Sequence, residues 1–130
     1  MIGFVMIGTN DLNKAIKFYD ILLETIDLKR VITNEKYIGY SPKEKTGNIE
    51  FYVTNPVNKK KATYGNGTQI SFVLKSKEAV DKFYNLGIKL GGKDGGAPGV
   101  RSGDYYCYIR DLDGNKICSF TKIESYALNS

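Results

Sequence analysis

The sequence predicts an α+β protein built from two βαβββ repeats. A strand-like segment at 4–7 leads into a helical pattern, and the same order returns from a second strand-like segment at 69–72. Strand-like runs follow each helical pattern, three in each half, and turn-forming sequences separate them. Because both halves have the same order of elements, the chain is a duplication.

The first helix is predicted from an apolar stripe. Its apolar residues follow the i, i+3, i+4, i+7 spacing of one helical face, and they are Leu12, Ala15, Ile16, Tyr19, Leu22 and Leu23. Either Thr9 or Asn10 is expected to cap the amino end, because both side chains can accept a hydrogen bond from a free backbone N–H. The stripe is expected to cover one face of a sheet.

The second helix is predicted from Val80, Phe83 and Tyr84, which share one helical face. Ser76 is placed to cap its amino end. Gly87 is expected to end the helix in the left-handed conformation, which glycine adopts without steric cost.

Three strands are predicted after each helix. In the first half they cover 28–33, 37–40 and 49–53, and in the second half they cover 88–90, 105–110 and 116–121. The sequence Asp-Leu-Asp-Gly-Asn at 111–115 predicts a tight hairpin turn between the last two strands.

Residues 1–124 are expected to form a single domain, because domains most often run to about 100–150 residues. The two repeats cover about 1–55 and 68–124. The segment 56–67 combines proline, a lysine run and a Gly-Asn-Gly sequence, which is typical of a connecting loop. Residues 125–130 are expected to form a C-terminal tail.

The absence of histidine excludes several kinds of active site. With no histidine in 130 residues, Ser-His-Asp and Cys-His systems cannot form, and most zinc sites lack their usual ligands. The two cysteines, Cys107 and Cys118, lack CxxC spacing and are expected to be reduced thiols in the core. No secretory signal and no apolar run long enough to cross a bilayer are visible, so a cytoplasmic location is expected.

The net charge of +5 bears on the kind of partner. Basic residues are scattered except at Lys59, Lys60 and Lys61, and no nucleic-acid-reading motif accompanies that run. A solvated loop is therefore the expected role of the run. The excess of positive charge favours an anionic small ligand, and neither a nucleic acid nor a membrane partner is expected.

Three segments, in this order, carry a resemblance to a known family. They are Asn10-Asp11-Leu12 followed by Phe18-Tyr19, then Gly65-Asn66-Gly67-Thr68-Gln69, and finally Arg110-Asp111-Leu112-Asp113-Gly114-Asn115-Lys116-Ile117. Together with the duplication, they make the chain resemble the vicinal oxygen chelate superfamily from about residue 1 to residue 123. That superfamily includes glyoxalase I, extradiol dioxygenases, thiol-transferring fosfomycin-resistance enzymes and bleomycin-binding proteins. The resemblance implies an open, curved, barrel-like arrangement of the sheets around a cleft.

In the enzymes of that superfamily, a divalent metal in the cleft chelates vicinal oxygens of the substrate. The resemblance places the first-strand ligand, usually histidine, on Phe4 and its counterpart in the second half on Gln69. The last-strand glutamate falls on Cys118, and the fourth position falls on either Glu50 or Phe51. Since Phe4 has no donor atom and Cys118 is soft where Gln69 is hard, neither a metal nor another cofactor is expected.

Further candidates come from the second half. Arg101 ends a glycine-rich segment, 95–101, and similar segments in relatives form loops over the mouth of the cleft. Its guanidinium can hold a carboxylate or phosphate in bidentate fashion, although a solvated arginine is the simpler interpretation. Gln69 needs a polar partner, either a ligand or a structural hydrogen bond. The thiol of Cys118 is expected to pack, since no histidine lowers its pKa. The predicted ligand contacts are Phe4, Glu50, Gln69, Arg101, Tyr106 and Cys118.

Three functions follow from these observations. The favoured one is a metal-independent protein that binds a small organic molecule, partly aromatic or anionic, in the cleft. The second is a glyoxalase-like lyase or isomerase with an altered metal site and Glu50 as base, although one carboxylate cannot be both sole ligand and base. The third is a dimerisation module with a vestigial cleft. The resemblance implies a homodimer.

Overall fold

A computed structural model describes residues 1–123 of the chain. The first repeat comprises β1 (Val5–Gly8), α1 (Leu12–Glu24), β2 (Leu28–Thr33), β3 (Tyr37–Pro42) and β4 (Phe51–Thr54). The second comprises β5 (Ile70–Val73), α2 (Lys77–Lys89), β6 (Lys93–Arg101), β7 (Asp104–Arg110) and β8 (Lys116–Thr121). The α+β class with two βαβββ repeats is therefore confirmed. Residue 124 and the predicted tail, 125–130, lie outside the described residues.

Each repeat forms its own four-stranded sheet. The strand order is β1-β4-β3-β2 in the first repeat and β5-β8-β7-β6 in the second. In each sheet the first strand of the repeat pairs in parallel with the last, and the other neighbours are antiparallel. The arrangement is open, as the resemblance implies, but the two sheets stay separate and do not close into one barrel.

One hydrophobic core joins the two repeats. The buried face of α1 consists of Ala15, Phe18, Tyr19, Leu22 and Leu23. The ring of Phe51 on β4 lies 5.5 Å from that of Phe72 on β5, which in turn lies 6.3 Å from that of Phe83 on α2. Neither of the described helices is both long and apolar enough to cross a membrane.

The turn at 111–115, which we call the latch turn, also joins the repeats. Its Asp111 is 5% exposed and accepts a hydrogen bond of 2.6 Å from the hydroxyl of Tyr19 on α1. The side-chain amide of Asn115 donates to the carbonyl of Gly8 at the end of β1, at 2.9 Å. The sequence predicted the hairpin correctly but gave no sign of these contacts with the first repeat.

The N-cap of α1 is Asp11, so the prediction of Thr9 or Asn10 was wrong. The Asp11 carboxylate accepts from the backbone N–H of the third helical residue at 3.0 Å. The hydroxyl of Thr9 instead donates to Asp113 of the latch turn at 2.6 Å. The side chain of Asn10 bonds to the backbone of Ala62 in the connecting segment. The side chains of Thr9 and Asn10 therefore bond to residues distant in sequence and do not cap the helix.

The second helix begins as predicted and ends later. Ser76 is the N-cap and accepts from the backbone N–H of Ala79 at 3.1 Å. The helix continues to Lys89, so the predicted strand at 88–90 was wrong. Short apolar runs of this kind fit a helix and a strand equally well, and here Ile88 and Leu90 pack against the core.

Gly87 does not end α2 as predicted, but lies inside it. A Cβ atom at this position would stand 2.6 Å from Cδ1 of Ile109 on β7. The glycine therefore allows the helix to approach the second sheet closely. The left-handed conformation predicted for Gly87 is found at Gly91, just after the helix, where φ is 104°.

The glycine-rich segment 95–101 was expected to be a loop, but it lies within strand β6. The pairing of β6 with β7 has register shifts at Gly96. A Cβ atom on Gly96 would lie 2.8 Å from Cδ2 of Tyr108 on β7. The glycines thus allow the two strands to approach closely. A glycine-rich composition fits both such a strand and a loop, so composition alone does not distinguish them.

Candidate ligand-binding cleft

An open cleft of about 690 Å³ lies between the two repeats, and we call it the inter-repeat cleft. Its walls are the amino-terminal segment with β1, the start of β4, and β5. The apolar residues that line it are Met1, Ile2, Phe4, Val5, Leu28, Phe51, Ile70 and Phe72. The polar ones are Asn48, Glu50, Gln69 and Ser71. Apolar walls with a few polar groups are the usual composition of a site for an organic molecule.

Three of the predicted ligand contacts, Phe4, Glu50 and Gln69, line this cleft. Phe4 is 57% exposed, which is a large fraction for an aromatic side chain. Its ring makes an edge contact with that of Tyr52 on β4, with 5.0 Å between ring centroids. Tyr52 in turn contacts Tyr37 on β3 at 5.7 Å, so an aromatic strip extends from the cleft across the first sheet.

Tyr52 and Tyr37 were not among the predicted ligand contacts. Strand alternation could have indicated Tyr52, because residues two apart on a strand share a face and Glu50 was already a candidate. Asn48 was missed as well, and it donates to the Glu50 carboxylate at 3.3 Å. It lies in the turn before β4, where the strand pattern gives no information on its orientation.

Glu50 and Phe51 are the two candidates for the fourth metal-ligand position of the family, and their surroundings differ. Phe51 pairs in register with Val5 and is 1% exposed. Its ring lies 5.2 Å from that of Tyr19 in the core. Glu50 is exposed and presents the only carboxylate among the residues that line the inter-repeat cleft.

Gln69 makes a structural hydrogen bond to a residue of β5, the strand that directly follows it. Its side-chain amide donates to the hydroxyl of Ser71 at 2.9 Å. Ser71 lies opposite Cys118 of β8 in the sheet register. Cys118 is fully buried, and this burial raises the pKa of its thiol. A thiol in that state is protonated at neutral pH and is a poor nucleophile or metal ligand.

Arg101 and Tyr106 lie on the second sheet, outside the lining of the inter-repeat cleft. The Arg101 guanidinium donates to the backbone carbonyls of Tyr106 and Ala97, both at 2.7 Å, and stands 5.3 Å from the ring centroid of Tyr108. These bonds tie β6 to β7. The ring of Tyr106 stacks on those of Tyr108 and Phe120, at 6.1 and 5.1 Å.

Comparison with known proteins identifies the family. The model of the glyoxalase/bleomycin resistance protein/dioxygenase superfamily matches residues 1–119. The chain belongs to this superfamily. Its structure is similar to that of a glyoxalase/bleomycin resistance protein from Albidiferax ferrireducens, with 38% sequence identity and a TM-score of 0.84 over 93% of this chain and 98% of that chain. None of the curated protein sequences matches the chain.

More distant solved structures are similar to this chain in fold alone. A hypothetical protein from S. aureus is 22% identical, with a TM-score of 0.71 over 91% of each chain. A fosfomycin resistance protein from Mesorhizobium loti is 15% identical, with a TM-score of 0.69 over 98% of this chain and 97% of that chain.

The divalent metal of the superfamily's enzymes does not fit the donor groups of this chain. Phe4 has no donor atom, and Gln69 offers only a neutral amide oxygen, since its amide nitrogen donates to the hydroxyl of Ser71. Cys118 carries a buried thiol with a raised pKa. Among residues 1–123, no group of three or more cysteine, aspartate or glutamate side chains is placed to hold a metal ion. Glu50 alone supplies a carboxylate, and one such ligand does not make a site.

Proposed function

We propose that the protein binds a small organic molecule in the inter-repeat cleft without a metal ion. The observation that carries this proposal is the composition of the cleft, whose walls are apolar and whose polar groups are few. Phe4 supplies an exposed aromatic face for stacking. Glu50 and Gln69 are the polar groups that would orient the ligand. Because Glu50 is anionic, it favours a ligand with a hydrogen-bond donor or a positive group on that side.

Metal independence rests on the mismatch of the donor groups. A glyoxalase-like reaction would need an electrophile to stabilise the charge that develops on the substrate, and Glu50 cannot serve as base and ligand together. A cytoplasmic location is part of the proposal, because both cysteines are unpaired and buried.

Replacement of Phe4 by alanine is expected to weaken binding of an aromatic probe. Anilinonaphthalene sulfonate is a suitable probe, because its fluorescence rises when it enters an apolar site. The stacking lost with the ring corresponds to about a fivefold to tenfold rise in the dissociation constant. Ile21→Ala is the matched control, since Ile21 is exposed on α1 and outside the cleft. Equal binding by the Phe4 variant and the wild type would place the probe elsewhere.

The same titration tests metal independence. Probe affinity is expected to be unchanged after dialysis against EDTA and on addition of nickel, zinc or manganese chloride. Metal analysis of protein purified without chelators provides a second readout. Stoichiometric metal in that preparation would contradict the proposal and favour a lyase or isomerase with an altered metal site.

Two strand edges favour self-association as a second role. Strands β1 and β5 each end their sheet, so one side of each strand pairs with no other strand among residues 1–123. Neither strand contains a charged residue, and Met6 and Val73 on them are 48% and 67% exposed. The edge strand β2, by contrast, carries the exposed charges of Lys29 and Arg30, which protect an edge from pairing. We propose that a second copy of the chain covers the β1 and β5 edges.

Light scattering after gel filtration is expected to give twice the 14.5 kDa mass of the chain. The change Val73→Lys is expected to yield monomers, because it places a charge on an edge that must be buried in the dimer. The control Val57→Lys adds the same charge at a position that is 95% exposed in the connecting segment, and it should leave the dimer intact. A wild-type monomer at all protein concentrations would refute the assembly.

A further inference from the structure

The connecting segment, 56–67, contributes to a second concave site. This site shares no lining residue with the inter-repeat cleft. A cavity of about 380 Å³ lies where the carboxyl ends of the parallel strands β1 and β4 meet this segment. Its lining includes Lys59, Lys60 and Lys61 of the connecting segment, together with Asn10 and Asn55, which follow the ends of β1 and β4. We call it the lysine cavity. In α/β sheets, ligands commonly bind outside the carboxyl ends of parallel strands.

The fold holds the three lysines in place. Asn10 clamps the segment to the start of α1 by accepting from the backbone N–H of Ala62 at 2.7 Å and donating to its carbonyl at 3.2 Å. The backbone N–H of Lys59 donates to the carbonyl of Pro56 at 3.0 Å, which closes a turn. Lys59 adopts a φ of 63°, a conformation that lysine rarely takes. The lysine run is thus part of a defined turn.

Among residues 1–123, no ion pair within 4.0 Å involves a lysine of the lysine cavity, although Lys61 also lines a neighbouring depression with Asp11 and Asp113. None of the residues that line the lysine cavity itself is acidic. Three neighbouring ammonium groups repel one another, and a bound anion relieves that repulsion.

One carboxylate lies close by and limits where an anion can sit. Asp113 accepts from the Thr9 hydroxyl at 2.6 Å and from the Asn10 backbone N–H at 2.9 Å, so it takes up the donors at the start of α1. An anion is therefore held on the lysine side of the cavity. Asn55 also lines the cavity, and its side-chain amide is a type of group that can donate to an anion.

We propose that the lysine cavity binds a compact anion with several charges, of the polyphosphate type. Lysine ammonium groups recognise phosphate as point charges and can share one anion among several residues. The volume of about 380 Å³ accommodates a short chain of phosphate groups. This role is independent of the ligand proposed for the inter-repeat cleft, because the two sites share no lining residue.

Calorimetric titration of the full chain with sodium tripolyphosphate at low ionic strength tests the proposal. We expect binding of one equivalent, and the triple change Lys59→Gln, Lys60→Gln and Lys61→Gln should lower the association constant about tenfold or more. The control Lys82→Gln, Lys89→Gln and Lys93→Gln removes the same charge from exposed positions outside the cavity and should retain nearly wild-type affinity.

Equal losses in the two triple variants would overturn the proposal, because they would indicate attraction to net charge alone. Tighter binding of a single-stranded DNA oligonucleotide than of tripolyphosphate would also overturn it and assign the lysines to a nucleic-acid backbone. Asn55→Asp places a carboxylate in the cavity without removing a lysine, and it should weaken binding even if the triple variant fails to fold. Phe4→Ala should leave tripolyphosphate binding unchanged, which separates this site from the inter-repeat cleft.

Discussion

Replacement of Asp111 by alanine is expected to lower the free energy of unfolding by about 2–4 kcal/mol. The Asp111 carboxylate accepts from the Tyr19 hydroxyl, from the backbone N–H groups of Asp113 and Asn115, and from the Asn115 side chain. Alanine would leave these buried donors without an acceptor. The main cost is that these polar groups stay out of water without a hydrogen bond. The latch turn would also lose its hold on α1.

Chemical denaturation by urea, followed by circular dichroism, measures this loss. Tyr19→Phe removes only one donor and should cost about 1 kcal/mol, within the range for a single hydrogen bond. Glu35→Ala removes a carboxylate from an exposed position between β2 and β3 and is the control, with a change within about 0.5 kcal/mol. A small effect of Asp111→Ala would mean that water replaces the carboxylate and that the latch turn adds little stability.

The pH dependence of the same variant follows from the pKa of Asp111. Burial raises this pKa above its ordinary value, although the hydrogen bonds that the carboxylate accepts oppose the rise. The folded chain therefore takes up the proton at a higher pH than the unfolded chain does. The stability from this group is complete below the unfolded pKa and falls as pH rises through the folded pKa. The difference between wild type and Asp111→Ala should thus be larger in mild acid than at neutral pH.

The fold was predictable because its main signals are local and occur twice. The apolar stripe of α1 and the turn at 111–115 are visible within a few residues each, and repetition of the whole pattern removed most alternatives. The errors arose where distant residues compete for a side chain or a backbone. Thr9 bonds to Asp113 and Asn10 to Ala62, so the cap passed to Asp11. No pattern within one repeat carries that information.

Of the candidate site, the sequence could predict those residues whose place follows from the order and alternation of the strands. Phe4 and Gln69 directly precede β1 and β5, at equivalent places in the two repeats, and both line the inter-repeat cleft. Arg101 was not predictable, because its position depends on β6 being a strand with shifted register. Once β6 pairs with β7, the guanidinium bonds to the carbonyls of Ala97 and Tyr106 within its own sheet.

The position of the lysine run, 59–61, was also not predictable from the sequence alone. Composition predicted a solvated loop, which is the ordinary fate of three consecutive lysines. The structure adds the turn at Pro56 and the clamp by Asn10, and these bring the run around one cavity. The run itself is visible in the sequence, but its position beside Thr9 and Asn10 depends on tertiary structure.

Replacement of Phe51 by alanine is expected to have the largest effect on stability, a loss of about 3–5 kcal/mol. The Phe51 ring is 1% exposed and lies 5.2 Å from the ring of Tyr19 and 5.5 Å from that of Phe72. It therefore links α1 of the first repeat to β5 of the second. Alanine would leave a cavity at the point where the two repeats share their core.

The adjacent residue provides the matched comparison. Glu50→Gln keeps the size and removes the charge of an exposed side chain, so the free energy of unfolding should change by less than about 0.5 kcal/mol. The same change should raise the affinity of the inter-repeat cleft for the sulfonate probe, because it removes the only carboxylate among the lining residues and with it the repulsion of the probe's negative charge. Urea denaturation and the anilinonaphthalene sulfonate titration measure the two effects on each variant. A stability loss in Glu50→Gln as large as that in Phe51→Ala would mean that the strand faces are exchanged, since alternation puts neighbours on opposite faces of β4.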